Sequence, residues 1–507
     1  MGLQKAFSFL KEKILIIKNL VFLDKYTLAF INKNSNEFRS NTKSSKIILI
    51  QTAKDYFFLL NSREIIKREN CKVLGLTDSI FLPKKKDVFL VFPLLVKYSI
   101  HILTIIKWNR IYRSLGVSQI TSNMLNVFEK LNLIKTSINF YNKLTTKEEL
   151  IELEYNGIQI GDLIYDTYLR FNNVPTVNIK DFFLIIYIYK AIYFFEKINK
   201  INFPIESFFL TYTTYIHHGI PARIMVKKNT SLYTLCSFTK IIKNVKKDCV
   251  IHLPNYFNYN EDFNKLENSK EKISLALESL SNRFSGKNDL PYLKSSPFNE
   301  DKDKVLSVKF DGVIFLHDFF DSPHCYRSMI YCDFYEWLKG TLKILEKTSF
   351  NIGVKPHPNN FSLNEKKLRY FKKNFKNVTW LSHDTSNKSI FESGIRFGIS
   401  NHGSVLLELA YHRITPISCG DNPFIDFEFV FTPNNKIEYE SLILNHSQLQ
   451  FPINLNDQIG VFYYMHYMNL STDYFPIKIK SKNDKIMEMS YNRYNLTNKH
   501  LLFDKIF

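Results

Sequence analysis

Apolar residues in this chain gather in short continuous runs, and between the runs lie longer stretches whose apolar positions recur at helical spacing. The runs read as buried strands and the periodic stretches as amphipathic helices. From Ser45, KIILIQ is a strand, TAKDYFFLLNSREIIKREN a loop and helix, and CKVLGL a second strand. Residues 95–150 read as helical, YNGIQIGDLIYDTYLRF (155–171) as a loop entering a helix, and residues 179–200 as an aromatic helix. FFLTYTTYIHHGIPARIMVKKNTSLYTLCSF alternates strand-like runs with a helix whose loop holds Gly219 and Pro221. A polar stretch from about Asn255 to Lys304 interrupts this order and marks a domain boundary. Beyond it come strand VIFL, helix DFYEWLKGTLKILEKT, strand NIGVKP, helix NEKKLRYFKKNF, strand VTWLS, a short helical stretch, strand RFGIS, helix SVLLELAYHR and strand ITPISC. Repeated βα units predict an α/β fold with a parallel, doubly wound sheet.

The pattern divides the chain into an amphipathic segment (1–44), a first α/β domain (45–300), a second (301–470) and a tail (471–507). In the opening segment Phe7, Leu10, Ile14, Ile17 and Val21 follow helical spacing with lysines on the other faces. Such a helix lies on a membrane surface or packs on its own domain, and the pattern leaves both open. Lys11, Glu12, Lys13 and Lys18 interrupt the segment, so it does not read as a signal peptide. Val88 to Trp108 carries Lys97 and His101 where a spanning helix wants ~20 mainly apolar residues, and it reads as a buried or interfacial helix.

Composition sharpens this picture. At 507 residues the chain exceeds one core of ~100–200 residues. Its 68 basic against 48 acidic residues give +20, which suits nucleic acid, an anionic membrane surface or an anionic substrate. Part of that excess reflects a bias towards Lys, Asn, Ile, Phe and Tyr that fits a low-GC genome. Cys71, Cys236, Cys249, Cys325, Cys332 and Cys419 are scattered with no CxxC, which suits a reduced cytoplasmic protein and excludes a zinc ribbon.

Two segments carry candidate chemistry. In NIGVKPHPNN, Lys355 and His357 stand just past the C-terminal end of a strand, where open α/β sheets bind ligands, and Pro356 and Pro358 stiffen the loop. Lys355 would hold a phosphate or ribose oxygen and His357 would hydrogen-bond or protonate. In RFGISNHGSVLLELAYHRITPISCGDNPF, a strand runs through Asn401, His402 and Gly403 into a helix with Ser404 at its N-cap and Glu408 one turn in.

KPHP followed by a strand, and then HGSVLLELAYHRITPISCGDNPF, resembles the C-terminal half of bacterial capsular polysaccharide biosynthesis proteins, the group containing the Kdo transferases of capsule export linkers. It is similar more distantly to teichoic-acid glycerophosphotransferases and bacterial sialyltransferases, which pair an HP motif with a serine-bearing turn. YNGIQIGDLIYDTYLR and FLHDFFDSPH also resemble stretches of surface-carbohydrate synthesis proteins. The resemblance covers about residues 310–425 and patches of 150–235. It implies a GT-B-like fold, two Rossmann-like domains facing a cleft, with a nucleotide-activated donor on the second and an acceptor glycan or glycolipid on the first. Carried over, Lys355 and His357 would meet the donor phosphate or nucleotide, Gly403 and Ser404 would cap the phosphate with His402 beside them in the donor site, and Glu408 would meet the nucleotide. Gly403 stands where relatives often have Thr or a second Ser, so only its backbone can serve. No cofactor beyond the co-substrate is implied, and a CMP-linked donor is favoured.

A sugar transfer needs a group to take the acceptor hydroxyl proton. Asp162 and Asp166 share a helical face with Arg170 a turn further on, facing a cleft or forming an intrahelical ion pair. His217, His218 and Arg223 form a second cluster, and His317, Asp318, Asp321 and His324 follow the first strand of the second domain. The last four read as loop residues facing the donor rather than as metal ligands, and Asp162, Asp166, His317 and Asp318 are the catalytic candidates. Asp333 and Trp337 read as capping and packing. Three readings compete: a glycosyltransferase for capsule, lipopolysaccharide or another surface glycan, peripheral at the inner face of the cytoplasmic membrane; a CDP-alcohol phosphotransferase; and a non-enzymatic basic binder. No Arg-rich or base-stacking module supports nucleic acid as the partner.

Overall fold

A computed structural model describes residues 2–23, 25–38, 45–69, 71–77, 80–88, 91–119, 125–236, 240–244, 256–285, 308–326, 329–357 and 361–469. The expected tail and Pro358 lie outside them. Two separate sheets carry the fold. The first contains β1 (Ile47–Gln51), β2 (Lys72–Leu76), β3 (Ser118–Gln119), β4 (Ile205–Leu210), β5 (Ser231–Cys236) and β6 (Lys240–Asn244), in the order β3-β2-β1-β4-β5-β6. Its neighbours run parallel except β6, which pairs antiparallel with β5, a strand the apolar pattern did not announce.

Alternate residues of β1 enter opposite cores, as the two-residue period of a strand requires. Ile48 and Ile50 join Phe30, Phe58, Trp108 and Tyr112 from α2 (Lys25–Glu37), α3 (Tyr56–Glu69) and α4 (Val91–Arg113). Ile47 and Leu49 join Leu133, Tyr165, Tyr187 and Ile220 from α5 (Val127–Lys143), α6 (Gly161–Asn172), α7 (Leu184–Asn199) and α8 (Ile216–Lys227). The preceding helix, α1 (Gly2–Val21), packs beside α4. Gly219 and Pro221, expected in a loop, lie inside α8. A Cβ on Gly219 would stand 2.4 Å from Leu163, so glycine lets α8 approach α6.

The second sheet contains β7 (Gly312–Phe315), β8 (Ile352–Lys355), β9 (Val378–Trp380), β10 (Phe397–Ile399) and β11 (Thr415–Ile417), all parallel, in the order β9-β8-β7-β10-β11. Around it lie α9 (Ser269–Phe284), α10 (Phe334–Leu345), α11 (Phe361–Asn374), α12 (Asn387–Glu392), α13 (Val405–Tyr411) and α14 (Leu455–Tyr463). The central strands are buried throughout, because helices cover both faces. Helix α9, placed by the 300/301 boundary in the first domain, buries Ala276, Leu280 and Phe284 in the second domain's core instead.

In both sheets the first strand is flanked by the second and then the third on one side and by the fourth on the other. This is the Rossmann-like order, and it leaves a crevice at the carboxyl ends of the first and fourth strands where the winding reverses. The fold is therefore α/β and GT-B-like, two Rossmann-like domains joined along a seam of side-chain contacts between them.

Candidate active site

The three central strands of the second sheet each deliver a histidine just beyond their carboxyl ends: His317 after β7, His357 after β8 and His402 after β10. The His317 ring lies 5.5 Å from His357 and 4.9 Å from His402, centroid to centroid, and stacks on Phe334 at 4.5 Å. Tyr326 packs 4.6 Å from His402, whose Nε2 lies 3.8 Å from Cys325 Sγ. Burial pulls His357 down to about 3, with the His317 and Lys355 charges adding, and pushes His402 well below the usual imidazole range. Both rings are thus neutral at ordinary pH, each with one N–H to donate. Two buried polar atoms here, His317 Nδ1 and Asn401 Oδ1, find no hydrogen-bond partner among the described residues.

Asp321, on the loop after β7, reaches the first domain. Its Oδ1 accepts from Ser322 N (3.0 Å) and from the Tyr215 hydroxyl (3.3 Å). Burial works to raise its pKa, but His317, Arg170 and the Ser322 N–H outweigh that and hold the carboxyl below the usual range. Tyr215 sits at φ 64°, ψ 158° at the N-terminus of α8, a conformation open almost only to glycine and costing ~1–3 kcal/mol elsewhere. Arg170 Nη1 stands 3.8 Å from Asp318 and donates to the Phe320 carbonyl at 3.4 Å, bringing a half-exposed guanidinium to the same place. Behind Tyr215, Gln51 closes the first sheet's crevice: its Oε1 accepts from Thr211 N (3.2 Å) and Oγ1 (3.1 Å), and its Nε2 lies 2.7 Å from His218 Nδ1.

The catalytic candidates separate. Asp162 is paired with Arg223, whose Nη1 donates to it at 2.7 Å. Asp166 is almost fully buried across the seam from His324, accepting from its backbone N–H at 3.2 Å with His324 Nδ1 at 2.6 Å. Neither forms the intrahelical pair with Arg170, and neither faces an open cleft; both hold elements together. Asp318 is buried and accepts from Phe320 N (3.1 Å) and Asn364 Nδ2 (3.0 Å), which fixes the loop. Of the four, His317 alone sits beside the other histidines with a buried nitrogen lacking a partner among the described residues. Asp333 is the N-cap of α10 and also accepts from the Tyr165 hydroxyl at 2.5 Å, while the Trp337 indole donates to Tyr439 at 2.9 Å.

The donor-binding candidates separate too. Lys355 is buried, and its ammonium donates to Asn387, which donates to Glu408 Oε2 at 2.8 Å; Glu408 Oε1 pairs with Arg283 at 3.2 Å. Glu408, at 2% exposure, and Lys355 thus face the domain interior, where the expected nucleotide contact from Glu408 would have to break the Arg283 pair. His357 and His402 remain at the crevice. Gly403 and Ser404 are half-buried, and the N–H groups of Gly403, Ser404 and Val405 make no backbone hydrogen bond among the described residues. Ser404 stands at the N-cap position of α13 but in helical conformation, without the expected side-chain cap. Among the described residues no group of three or more His, Cys, Asp or Glu could hold a metal ion.

Sequence reasoning gave Tyr215, Arg283 and Asn387 no role. Strain at a tyrosine and partners 21 to 125 residues away leave no mark in local spacing.

No family model matches the chain, and no curated protein matches it. Among solved structures it is similar to UDP-GlcNAc 2-epimerase from Methanocaldococcus jannaschii (9% identity, 81% of this chain and 97% of that one, TM-score 0.25). It is also similar to a putative UDP-N-acetylglucosamine 2-epimerase from Listeria monocytogenes (8%, 90% and 98%, TM-score 0.24) and a UDP-glucosyltransferase from Polygonum tinctorium (9%, 90% and 100%, TM-score 0.26). The GT-B-like fold follows from the two strand orders.

Proposed function

We propose that the chain is a glycosyltransferase that moves a sugar from a nucleotide-activated donor to a hydroxyl of a surface-glycan or glycolipid acceptor. The observation that carries the reading is the meeting of His317, His357, His402 and Asp321 at the reversal point of the second sheet with Tyr215 and Arg170 from across the seam. In the proposed reaction the acceptor oxygen bonds to the anomeric carbon while the bond from that carbon to the phosphate oxygen breaks. The acceptor proton passes to the His317 imidazole, and the Asp321 carboxylate, still charged, stabilises the imidazolium formed. The electron pair leaves with the nucleotide, whose growing negative charge meets the N–H groups of His357, His402, Gly403 and Ser404 and the Arg170 guanidinium. No resident metal is needed for these steps. CMP as the leaving nucleotide and a capsule or lipopolysaccharide acceptor at the inner membrane face rest on the resemblance of KPHP and HGS.

Thermal-shift titration with CMP, CDP, UDP, GDP and ADP tests the donor site, since a ligand that binds only the folded chain stabilises it by RT ln(1 + [L]/Kd). One nucleotide should raise Tm, and His357→Ala and His402→Ala should abolish the rise. A folded chain that responds to none of the five would sink the proposal, and a phosphodiester in the product would turn it into alcohol-phosphate transfer.

A further inference from the structure

The first domain presents an apolar face that its own core leaves uncovered. The C-terminal end of α4 seats the helix on the sheet through Trp108, Ile111 and Tyr112, all buried. Its earlier turns do not: Phe92, Leu95, Tyr98, Ile102 and Ile106 are 38–59% exposed. Their spacing of three, three, four and four residues lines them along one side of the helix, a stripe of about 21 Å at 1.5 Å per residue. Helix α1 runs alongside, tied by Lys107 Nζ donating to the Asn19 carbonyl at 3.2 Å. It adds Ile14, Leu15 and Val21, with Phe22 just beyond it, each at least half exposed.

The charges on these two helices are mostly of one sign. Helix α4 contains Lys97, Lys107, Arg110 and Arg113 and no acidic residue; α1 contains Lys5, Lys11, Lys13 and Lys18 against a single Glu12. A second copy seated on the same face would bring those like charges together, which opposes self-association. An anionic bilayer answers both features, taking the apolar stripe into its interface and the basic residues onto its headgroups. Among the described residues no helix is long and apolar enough to cross a membrane, so the pair would lie on the surface. We infer that α1 and the first turns of α4 form a docking face for an anionic lipid surface, with the stripe Phe92, Leu95, Tyr98, Ile102 and Ile106 as its apolar contact.

Co-sedimentation of the full chain with vesicles of phosphatidylcholine alone, and with phosphatidylglycerol added, tests this. Binding should require the anionic lipid, weaken with salt, and fall at least about tenfold in Leu95→Asp/Ile102→Asp. The control is Phe128→Asp/Leu131→Asp on α5, whose exposed apolar residues flank Glu129 on the opposite side of the sheet; it should bind like wild type. Both changes lie at exposed positions, and an unchanged melting curve confirms the fold. Failure to bind anionic vesicles, loss in the α5 variant instead, or loss of a dimer in sedimentation velocity with lipid binding unchanged would each overturn the inference. The nucleotide-induced thermal shift should be the same in all these variants, so a failed docking face and a failed donor site give different results.

Discussion

The two domains share one strand order and finish it differently. At the reversal point of the first sheet, Gln51 bridges the end of β1 to Thr211 after β4 and to His218 in α8, leaving only the Thr214 hydroxyl buried and unpartnered among the described residues nearby. The corresponding point of the second sheet is lined by three imidazoles, and His317 Nδ1 and Asn401 Oδ1 stay unpaired there. A buried polar atom without a partner costs ~1–3 kcal/mol, so the second crevice carries a larger such cost than the first. The same topology thus gives one crevice bridged by its own side chains and one in which three partly buried imidazoles meet. The bridged one supplies a rigid platform from which Tyr215 and Arg170 reach across.

The sharpest way to break that contrast is His317→Ala. If His317 takes the acceptor proton, sugar transfer falls by ~10²–10⁴ while the nucleotide still raises Tm. Equal loss of both would make His317 a binding residue. The mirror experiment in the first domain is Gln51→Leu, which removes a buried acceptor from Thr211 and should cost ~1–3 kcal/mol of stability, read by chemical denaturation, with the nucleotide shift intact. A nucleotide response lost in Gln51→Leu would mean that the first crevice, too, belongs to the donor site.

Much of the fold was legible because it is written locally. Continuous apolar runs such as IILIQ, GVIF and IGVK marked the parallel strands, and the βα order around them fixed the architecture. The placing of α9 was not legible: its helical run sits in polar sequence, and only tertiary packing shows that Ala276, Leu280 and Phe284 enter the second core. At the site, strand ends pointed to His317, His357 and His402, since position after a parallel strand is itself a signal. For Asp162, Asp166, Lys355 and Glu408 the residue types were right for chemistry, but their partners are Arg223, His324, Asn387 and Arg283. Spacing cannot reveal that a charge is already spent on a distant residue, which is why structural ion pairs and catalytic groups look alike in sequence.

The seam itself can be read by pH. Burial raises Asp166 to about 6 against the lowering pull of His324, and although burial alone would lower His324, Asp166 and Asp162 raise it. Both groups thus bind protons more tightly in the folded chain. Their contribution is complete below the unfolded carboxyl value and is lost as pH rises, first through about 6 for Asp166 and then above the ordinary imidazole value of ~6.5 for His324. Stability should therefore decline from about pH 4 to 6 as Asp166 loses its proton, and again above ~6.5 as His324 does, by at most about 1.4 kcal/mol per pH unit for one proton. Asp333 and Asp162 face His324 as well and favour its charged form, so the slope belongs to the cluster. Denaturation across this range with Asp166→Asn, which should flatten the slope, is the check; an unchanged slope would place the titration elsewhere.

The smallest effect tests the strained contact between the two crevices. Tyr215 holds a backbone conformation that disfavours any side chain, and the hydroxyl it thereby presents makes one 3.3 Å hydrogen bond to Asp321. Tyr215→Phe keeps the strain and the ring packing against His217 but removes that bond, a change worth ~0.5–1.5 kcal/mol. If the bond merely glues the domains, the variant loses that stability and keeps its kcat. Should it instead aim Asp321 at His317, kcat falls several-fold and its pH profile moves to lower pH, because an Asp321 carboxylate freed to reorient supports the imidazolium less well. A kcat and pH profile identical to wild type would restrict Tyr215 to the seam and leave Arg170 as the first domain's contribution to the second crevice.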